Sequence, residues 1–454
     1  MTELNCLCKY IADLQYEAIP KEVVDYAELL IADHYISAVA GHTYNAKFNQ
    51  PLVEIINEES SEGKSTVLFQ KKKLPAGAAA MINAVYCHGA DIDDGHREAE
   101  AHPGVTVIAS VLALAEEIGA SGLDVVTSIV AGYEVFIRVA KSILPSHLWR
   151  GFHTTGTVGT IASAAACSKL LQLDSTGIEK AISLAATQTA GLLIVCESGQ
   201  ASKPINPGRA AQTGILCAKL ASKGTDAPEN IFGSKKGFAH AFTDDYKPKA
   251  LVDRLGVYFE IMDTYVKLYP SCRHTQATIE ALKKCIAENG PIGDAEKIDI
   301  HTYPIAVDIV GYNREPKTIG DVKFSIPYTA ACIAMYGDYT LESLAHFAEE
   351  REKVIQFIER INVIPEDKYD DIPNGIRGAE VYVSLKDGSS YSAMVPIARG
   401  EGEDRIDWET LENKAVSSCK EMTKDNIVEL LDFCKRISEM EQFEQPAIQE
   451  ERER

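Results

Sequence analysis

The segment HGADIDDGHREAEAHPG, from His88 to Gly104, carries three aspartates and three histidines within seventeen residues. Carboxylates and imidazoles often move protons in enzymes, and an imidazole titrates near neutral pH. Apolar, helix-like sequence precedes and follows this segment, so its charged residues interrupt a chain that otherwise favours burial. The pattern indicates an acid–base site on a loop, although a solvated loop or helix caps at Asp93 and Asp94 would also fit it.

Further charged residues stand at the starts of apolar helical stretches. His102 and His153 each precede a stretch rich in small or β-branched residues. Lys203 lies in SKPINPGRAA, and Lys267 and Arg273 lie beside the helix start in YPSCRHTQATIEAL. Taken singly, each lysine or arginine is explained as an ordinary surface cation, and each histidine as a core residue with satisfied hydrogen bonds. Because helix N-termini attract anions, their convergence would form a binding site for a carboxylate-bearing ligand.

Other kinds of site fit the spacing less well. A dinucleotide-binding fold needs G-x-G-x-x-G after a strand, and GTVGT lacks the strand and the third glycine. The sequence contains neither a P-loop nor the G-x-S-x-G elbow of serine hydrolases. Asp91, Asp93, Asp94 and His96 resemble a Mg²⁺ site for diphosphate chemistry, but no second acidic motif accompanies them. We therefore expect no metal site.

Composition narrows the class of protein. The 454-residue chain has a formal net charge of −21, which argues against nucleic-acid binding and against adsorption to an anionic membrane. The N-terminus lacks a signal-peptide pattern, and no uncharged apolar run is long enough to span a bilayer. Eleven cysteines are scattered without zinc-finger spacing, which favours reduced thiols in the cytoplasm.

Helical periodicity dominates from residue 20 to about residue 260. In KEVVDYAELLIADHYISAVAG apolar residues recur every three or four positions, and Gly41 is expected to end that helix. Beyond about residue 265, EKIDIHTYP and AEVYVSLKDGSSYSAMVP alternate like strands, with a hairpin turn at Asp387-Gly388. The sequence predicts a mainly α fold, with a large all-helical domain (1–265 and 405–454) and a smaller α+β lid domain (266–404).

Several motifs together resemble those of a known family. In chain order they are NAVYCHGADIDD, RGFHTTGTVGTIASAAA, SKPINPGRAAQTGILCAKLASKG, KLYPSCRHTQATIEAL and FSIPYTAACIA. They are similar to the MmgE/PrpD family, which includes 2-methylcitrate dehydratase, cis-aconitate decarboxylase and iminodisuccinate epimerase. The resemblance extends over about residues 5–440. It implies a homodimer, a small anionic carboxylate substrate, and chemistry without a metal or organic cofactor.

The resemblance also implies roles for particular residues. The implied catalytic residues are Asp91, His102, His153, Lys203 and Tyr328. The implied substrate-binding residues are Lys267, Cys272, Arg273, Asp94 and His96. The chain departs from the family pattern in several places: Gly95 stands where dehydratases and decarboxylases commonly have threonine, and Cys272 where decarboxylases tend to have histidine. HREAEA also replaces the usual linker to His102, and HPG replaces HPS. The sequence therefore identifies the family better than the reaction.

The reactions of this family share proton transfer next to a carboxylate. Lys203, Lys267 and Arg273 would stabilise the negative charge. His102 or His153 would move the proton, and Asp91 would orient a histidine or act as a base. We expect a lyase or isomerase that acts on a small di- or tricarboxylate by dehydration or decarboxylation. The alternatives are an epimerase of an amino- or imino-dicarboxylate and a non-catalytic carboxylate-binding paralogue.

Overall fold

The structure, a computed structural model, describes residues 2–197, 201–371, 376–401 and 404–448. The chain divides by its packing into two units. Residues 2–197, 201–265 and 408–448 belong to the first unit, and residues 266–407 form the second. Helices build the first unit, and a sheet with helices builds the second. The predicted mainly α fold with a smaller α+β part is therefore confirmed.

Up to residue 265 the first unit consists of helices and one pair of very short strands. The helices are α1 (Glu3–Asp13), α2 (Lys21–Tyr44), α3 (Ala46–Glu59), α4 (Ala76–Gly89), α5 (Pro103–Ile118), α6 (Gly122–Ile143), α7 (Ser146–Trp149), α8 (Thr154–Leu170), α9 (Ser175–Gln188), α10 (Ile194–Glu197), α11 (Ile205–Ser222) and α12 (Phe238–Phe242). The strands β1 (Gly95–His96) and β2 (Thr264–Tyr265) pair antiparallel.

Helix α8 lies at the centre of the first unit. Nearly all of its residues are buried, and α5, α6, α9 and α11 pack around it. Its sequence, TTGTVGTIASAAACSKL, is rich in alanine, glycine and threonine, so neighbouring helices approach it closely on every side. The N-terminus of this buried helix is the position that follows His153.

Helix α2 continues through Gly41 to Tyr44, so the predicted end at Gly41 is wrong. A Cβ atom at Gly41 would overlap the backbone carbonyl of Tyr86 in α4. The glycine allows two helices to cross in backbone contact, which a larger side chain would prevent. This contact fixes the second half of α4, which leads into the charged segment that begins at His88.

The second unit contains a four-stranded sheet with the strand order β4-β3-β7-β8. Its elements are β3 (Ala295–Thr302), β4 (Ile361–Pro365), β5 (Asp370–Asp371), β6 (Ile376–Arg377), β7 (Ala379–Leu385), β8 (Ser390–Val395), α13 (Arg273–Asn289), α14 (Pro304–Ala306), α15 (Ile319–Val322), α16 (Ile326–Tyr336), α17 (Leu341–Ala345) and α18 (Phe347–Ile358). The predicted hairpin is confirmed, because β7 and β8 pair antiparallel around Asp387-Gly388. Ile298 of β3 faces Val383 of β7, and both side chains are buried where α13 packs on the sheet.

The chain then returns to the first unit through α19 (Trp408–Ser418) and α20 (Lys424–Cys434), which pack against α2. All eleven cysteines are free thiols, and eight of them are buried. Within the described residues, none of the helices combines the length and the apolar character that crossing a membrane requires.

Candidate active site

The charged segment forms a loop between the end of α4 at Gly89 and the start of α5 at Pro103. Asp91, Asp93, Asp94 and His96 in this loop are all buried. The alternative of a solvated loop is therefore wrong. Buried carboxylates need partners, because losing water without compensation is costly for a charge. The partners observed for each side chain indicate its role.

Asp91 forms an ion pair with Lys203, which lies just before α11. The distance between Lys203 Nζ and Asp91 Oδ1 is 2.8 Å. Burial disfavours the ammonium ion, but the neighbouring Asp91 carboxylate outweighs this effect and raises the pKa of Lys203. Asp91 also has a left-handed backbone, with φ of 61°, a conformation that costs a non-glycine residue about 1–2 kcal/mol. Strain of this kind persists where surrounding contacts hold the residue.

His102 precedes the first residue of α5, and two hydrogen bonds fix it. Its backbone N–H donates to Thr155 Oγ1 of α8 at 3.2 Å. Its ring Nδ1 lies 2.6 Å from the carbonyl oxygen of Asp94. A carbonyl only accepts hydrogen bonds, so Nδ1 carries a proton and Nε2 is the basic atom of the neutral ring. His102 is thus oriented to take up and release a proton through Nε2.

His153 occupies the equivalent position at the start of α8 and is buried. Burial, followed by the positive charge of Lys203, holds the pKa of His153 well below its usual value, so the ring is neutral at pH 7. The side-chain amide of Asn206 donates to His153 Nδ1 at 3.0 Å, which leaves the proton on Nε2. His153 therefore offers a neutral N–H donor.

His88 and Asp93 complete a cluster that the sequence analysis did not assign to the site. His88 Nδ1 lies 2.7 Å from Asp93 Oδ2, and the same oxygen lies 3.4 Å from His102 Nδ1. The ring centroid of His88 is 4.8 Å from that of His102 and 6.3 Å from that of His153. One oxygen of the Asp93 carboxylate thus lies close to the rings of two histidines. The sequence signal was present, because His88 begins the charged segment.

Asp94 contacts the rest of the protein through both carboxylate oxygens, and its role in substrate binding stays a prediction. Its carboxylate accepts hydrogen bonds from the Tyr133 hydroxyl at 2.6 Å and from the Gly104 backbone N–H at 3.1 Å. Burial is the main cause that raises the pKa of Asp94 to about 8. Both oxygens already have protein partners, so Asp94 links the loop to α5 and α6.

His96 belongs to a different cluster from His102, and its role in substrate binding stays a prediction. Its backbone pairs with Thr264 of β2, and its Nδ1 accepts from the backbone N–H of Ala99 at 3.2 Å. Donor atoms of His96, Glu260 and Asp263 lie within 4.8 Å of one another. His96 therefore stabilises the far side of the loop.

A metal ion has one candidate position near Lys203. His88, Asp91 and His102 each place one donor atom within 4.8 Å of the others. Such a set could bind a divalent transition metal, because histidine and carboxylate are common ligands. The Lys203 ammonium, which contacts Asp91, opposes a second cation there.

The remaining predicted site residues belong to the second unit. Lys267 is buried, Cys272 is partly exposed and caps α13, and Tyr328 is buried in α16. Burial raises the pKa of Tyr328, whose ring packs edge-on against Phe347. For these three residues the role in the site stays a prediction.

Arg273 also belongs to the second unit, and it already has a carboxylate partner there. Its guanidinium forms an ion pair with Glu401 and donates to the carbonyl oxygen of Ala398 at 2.9 Å. The role of Arg273 as a clamp for a substrate carboxylate stays a prediction, and in this structure its guanidinium is paired with Glu401.

Comparison with known proteins connects this site to a family. The model of the MmgE/PrpD N-terminal domain matches residues 5–251, and that of the MmgE/PrpD C-terminal domain matches residues 269–431. The cis-aconitate decarboxylase-like protein oryM of Aspergillus oryzae is 25% identical over 96% of this chain and 95% of its own length. The cis-aconitate decarboxylase of Aspergillus terreus is 26% identical over 86% and 84%, and that of Homo sapiens is 27% identical over 84% and 81%. Because the two family models together cover most of its length, the chain belongs to the MmgE/PrpD family.

Proposed function

We propose that this protein is a lyase that acts on a small di- or tricarboxylate, with cis-aconitate as the first substrate to test. One observation carries the proposal. His102, whose Nε2 can take up and deliver a proton, and the neutral N–H donor His153 occur with the ammonium of Lys203 in one cluster, in which His153 is buried and the other two side chains are partly buried. The names of the relatives support decarboxylation over dehydration.

In the proposed reaction the bond between carbon and a departing carboxylate breaks, and its electron pair stays on carbon. CO₂ leaves, and the negative charge spreads onto a neighbouring carboxylate. Lys203 and the Nε2–H of His153 stabilise that charge, since preorganised donors act strongly where water is excluded. Protonated His102 then delivers one proton to carbon through Nε2, and Asp93 stabilises its charged form. No step requires an oxidant, a reductant or an organic cofactor.

Proton NMR in D₂O tests this proposal directly. We expect purified protein to convert cis-aconitate with loss of CO₂ and to place one solvent deuterium on the product carbon. Citrate and 2-methylcitrate, measured in parallel, report dehydration. EDTA is expected to leave the rate unchanged. Exchange of a proton next to a carboxylate without loss of CO₂ or water would favour the epimerase alternative, and a melting shift without exchange would favour a binding protein.

His102→Ala is the matched variant for this test. We expect it to lower kcat by about 10²–10⁴-fold, since it removes the group that moves the proton. The exposed His240 belongs to the same unit, and His240→Ala serves as the control that retains activity. A wild-type rate in His102→Ala, with an unchanged melting curve, contradicts the assigned role.

A further inference from the structure

Lys414 of α19 lies buried beneath the charged loop between α4 and α5, far along the chain from the other charged residues of that region. Its side chain and that of Asp33 in α2 are each 1% exposed, and Lys414 Nζ lies 2.5 Å from Asp33 Oδ1. The same ammonium donates to the backbone carbonyl of Ile92 at 2.6 Å. Ile92 is the residue between Asp91 and Asp93, so this contact reaches the centre of the loop.

The surroundings of Lys414 explain why a cation is needed there. Asp33, Asp93 and Asp94 are all buried, and the charges of Asp33 and Asp93 both act on Asp94. Lys414 opposes the combined field of these carboxylates at the neighbouring thiol of Cys87. A buried ammonium with two hydrogen-bond partners meets the condition under which a charge is tolerated inside a protein.

The backbone of the loop also needs a contact that maintains its conformation. Asp91 is strained in its left-handed conformation, and Asp93 must point one carboxylate oxygen toward both His88 and His102. A hydrogen bond to the carbonyl of Ile92 fixes the orientation of the peptide group between Ile92 and Asp93. Catalytic groups that move by about 1 Å typically lose about 10²-fold in rate.

We propose that Lys414 is a positioning residue, which holds the Ile92 carbonyl so that Asp91 and Asp93 keep the geometry of the active site. Its effect on turnover rests on the proposed function, whereas its effect on the loop does not. The final helices of the chain thereby take part in the site without touching the substrate.

Two variants separate positioning from simple charge neutralisation. Lys414→Met removes the ammonium and leaves Asp33 buried without its cation. The double variant Asp33→Asn/Lys414→Met removes both charges, while the contact to Ile92 stays lost. Lys169→Met is the matched control, because Lys169 also donates to a backbone carbonyl of the same unit, that of Ala12 at 2.9 Å.

Hydrogen–deuterium exchange of the peptide 88–102, without substrate, is the primary measurement. We expect exchange to be about tenfold faster or more in both Lys414 variants and unchanged in Lys169→Met. The double variant is expected to regain much of the melting temperature lost in Lys414→Met, but not the loop protection. On cis-aconitate, kcat is expected to fall about 10²-fold in both variants with little change in KM.

Two outcomes overturn the proposal. The first is wild-type exchange of peptide 88–102 in the double variant, because Lys414 then only neutralises Asp33. The second is a wild-type kcat in an active double variant. If Lys414→Met does not fold, measurements on the double variant alone test the proposal. A wild-type protein that is inactive on every acid tested counts against the proposed function, while the exchange measurement still tests Lys414.

Discussion

His102 and His153 in the first unit are held in opposite tautomers by their hydrogen-bond partners. The carbonyl of Asp94 keeps a proton on Nδ1 of His102, whereas the amide of Asn206 keeps it off Nδ1 of His153. Burial keeps His153 neutral, and a carboxylate oxygen of Asp93 lies 3.4 Å from Nδ1 of His102. In the proposed reaction His102 therefore transfers the proton and His153 stabilises the negative charge.

Asn206→Asp tests this division of roles. A carboxylate accepts where the amide donated, so His153 is expected to move its proton to Nδ1 and lose the N–H donor on Nε2. Removal of one such donor typically costs about 10²–10³-fold in kcat. The ¹⁵N chemical shifts of the His153 ring report the tautomer, and steady-state kinetics report kcat.

Asn206→Leu accompanies this variant as a neutral comparison, since it removes the donor without adding charge. It is expected to lower kcat less than Asn206→Asp does. An altered tautomer with an unchanged kcat argues against a role for His153 as a donor.

At the scale of elements, the two-residue strands β1 and β2 hold one part of the charged loop between α4 and α5. Gly95 of β1 pairs with Tyr265 of β2, and a Cβ atom at Gly95 would overlap the phenol ring of Tyr265. Glycine at this position is therefore required by the packing of a buried tyrosine. This gives a physical reason for the departure from threonine noted in the sequence.

Gly95→Ala is expected to displace Tyr265 and lower the free energy of unfolding by about 1–3 kcal/mol, as overpacking usually does. Urea denaturation measures this change. Gly77→Ala in α4 is the control, because a Cβ atom there meets only an ordinary contact, 3.5 Å from Gln212 Cγ. Adding Tyr265→Leu to Gly95→Ala should restore part of the lost stability. Equal stability of the Gly95→Ala and Gly77→Ala proteins contradicts the overlap.

Local patterns predicted some elements of this fold and missed others. The hairpin at Asp387-Gly388 and the helix that starts at Pro103 depend on neighbouring residues, and the sequence identified both. The continuation of α2 past Gly41 depends on a contact with Tyr86, which no local pattern reveals. Likewise the motifs identified His102 and His153, but their proton positions depend on Asp94 and on the distant Asn206.

At the scale of the whole molecule, the strongly acidic chain buries several carboxyl groups instead of exposing them all. Burial raises the pKa of Asp94 to about 8 and that of Glu134 to about 7. Glu134 also lies against the buried Arg138, with 2.9 Å between Glu134 Oε2 and Arg138 Nε. Groups of this kind make stability depend on pH near neutrality.

Asp94 is expected to make the free energy of unfolding decrease as the pH rises. In the folded protein the Asp94 carboxyl group has a pKa of about 8, whereas in the unfolded chain its pKa is near the ordinary value of 3.8. The unfolded state thus binds fewer protons in this range, so the free energy of unfolding is expected to fall from about pH 4 to pH 8. Asp94→Asn should flatten this decline, as measured by urea denaturation at intervals of one pH unit.

Glu134 remains in both proteins and does not affect the comparison. Asp226→Asn, at an exposed position of the same unit, controls for the loss of one formal charge. Parallel curves for the wild type and Asp94→Asn contradict the assignment.

Helices α19 and α20 belong to the first unit, although the chain reaches them only after the entire second unit. A ribosome makes the chain from its N-terminus, so a nascent polypeptide carries His88, His102 and His153 long before Lys414 has been translated. Until that moment the α2 surface that α19 and α20 will cover stays open, and Asp33 has no lysine beside it. Premature termination anywhere in the second unit therefore leaves that surface of α2 uncovered and the Ile92 carbonyl without its contact to Lys414.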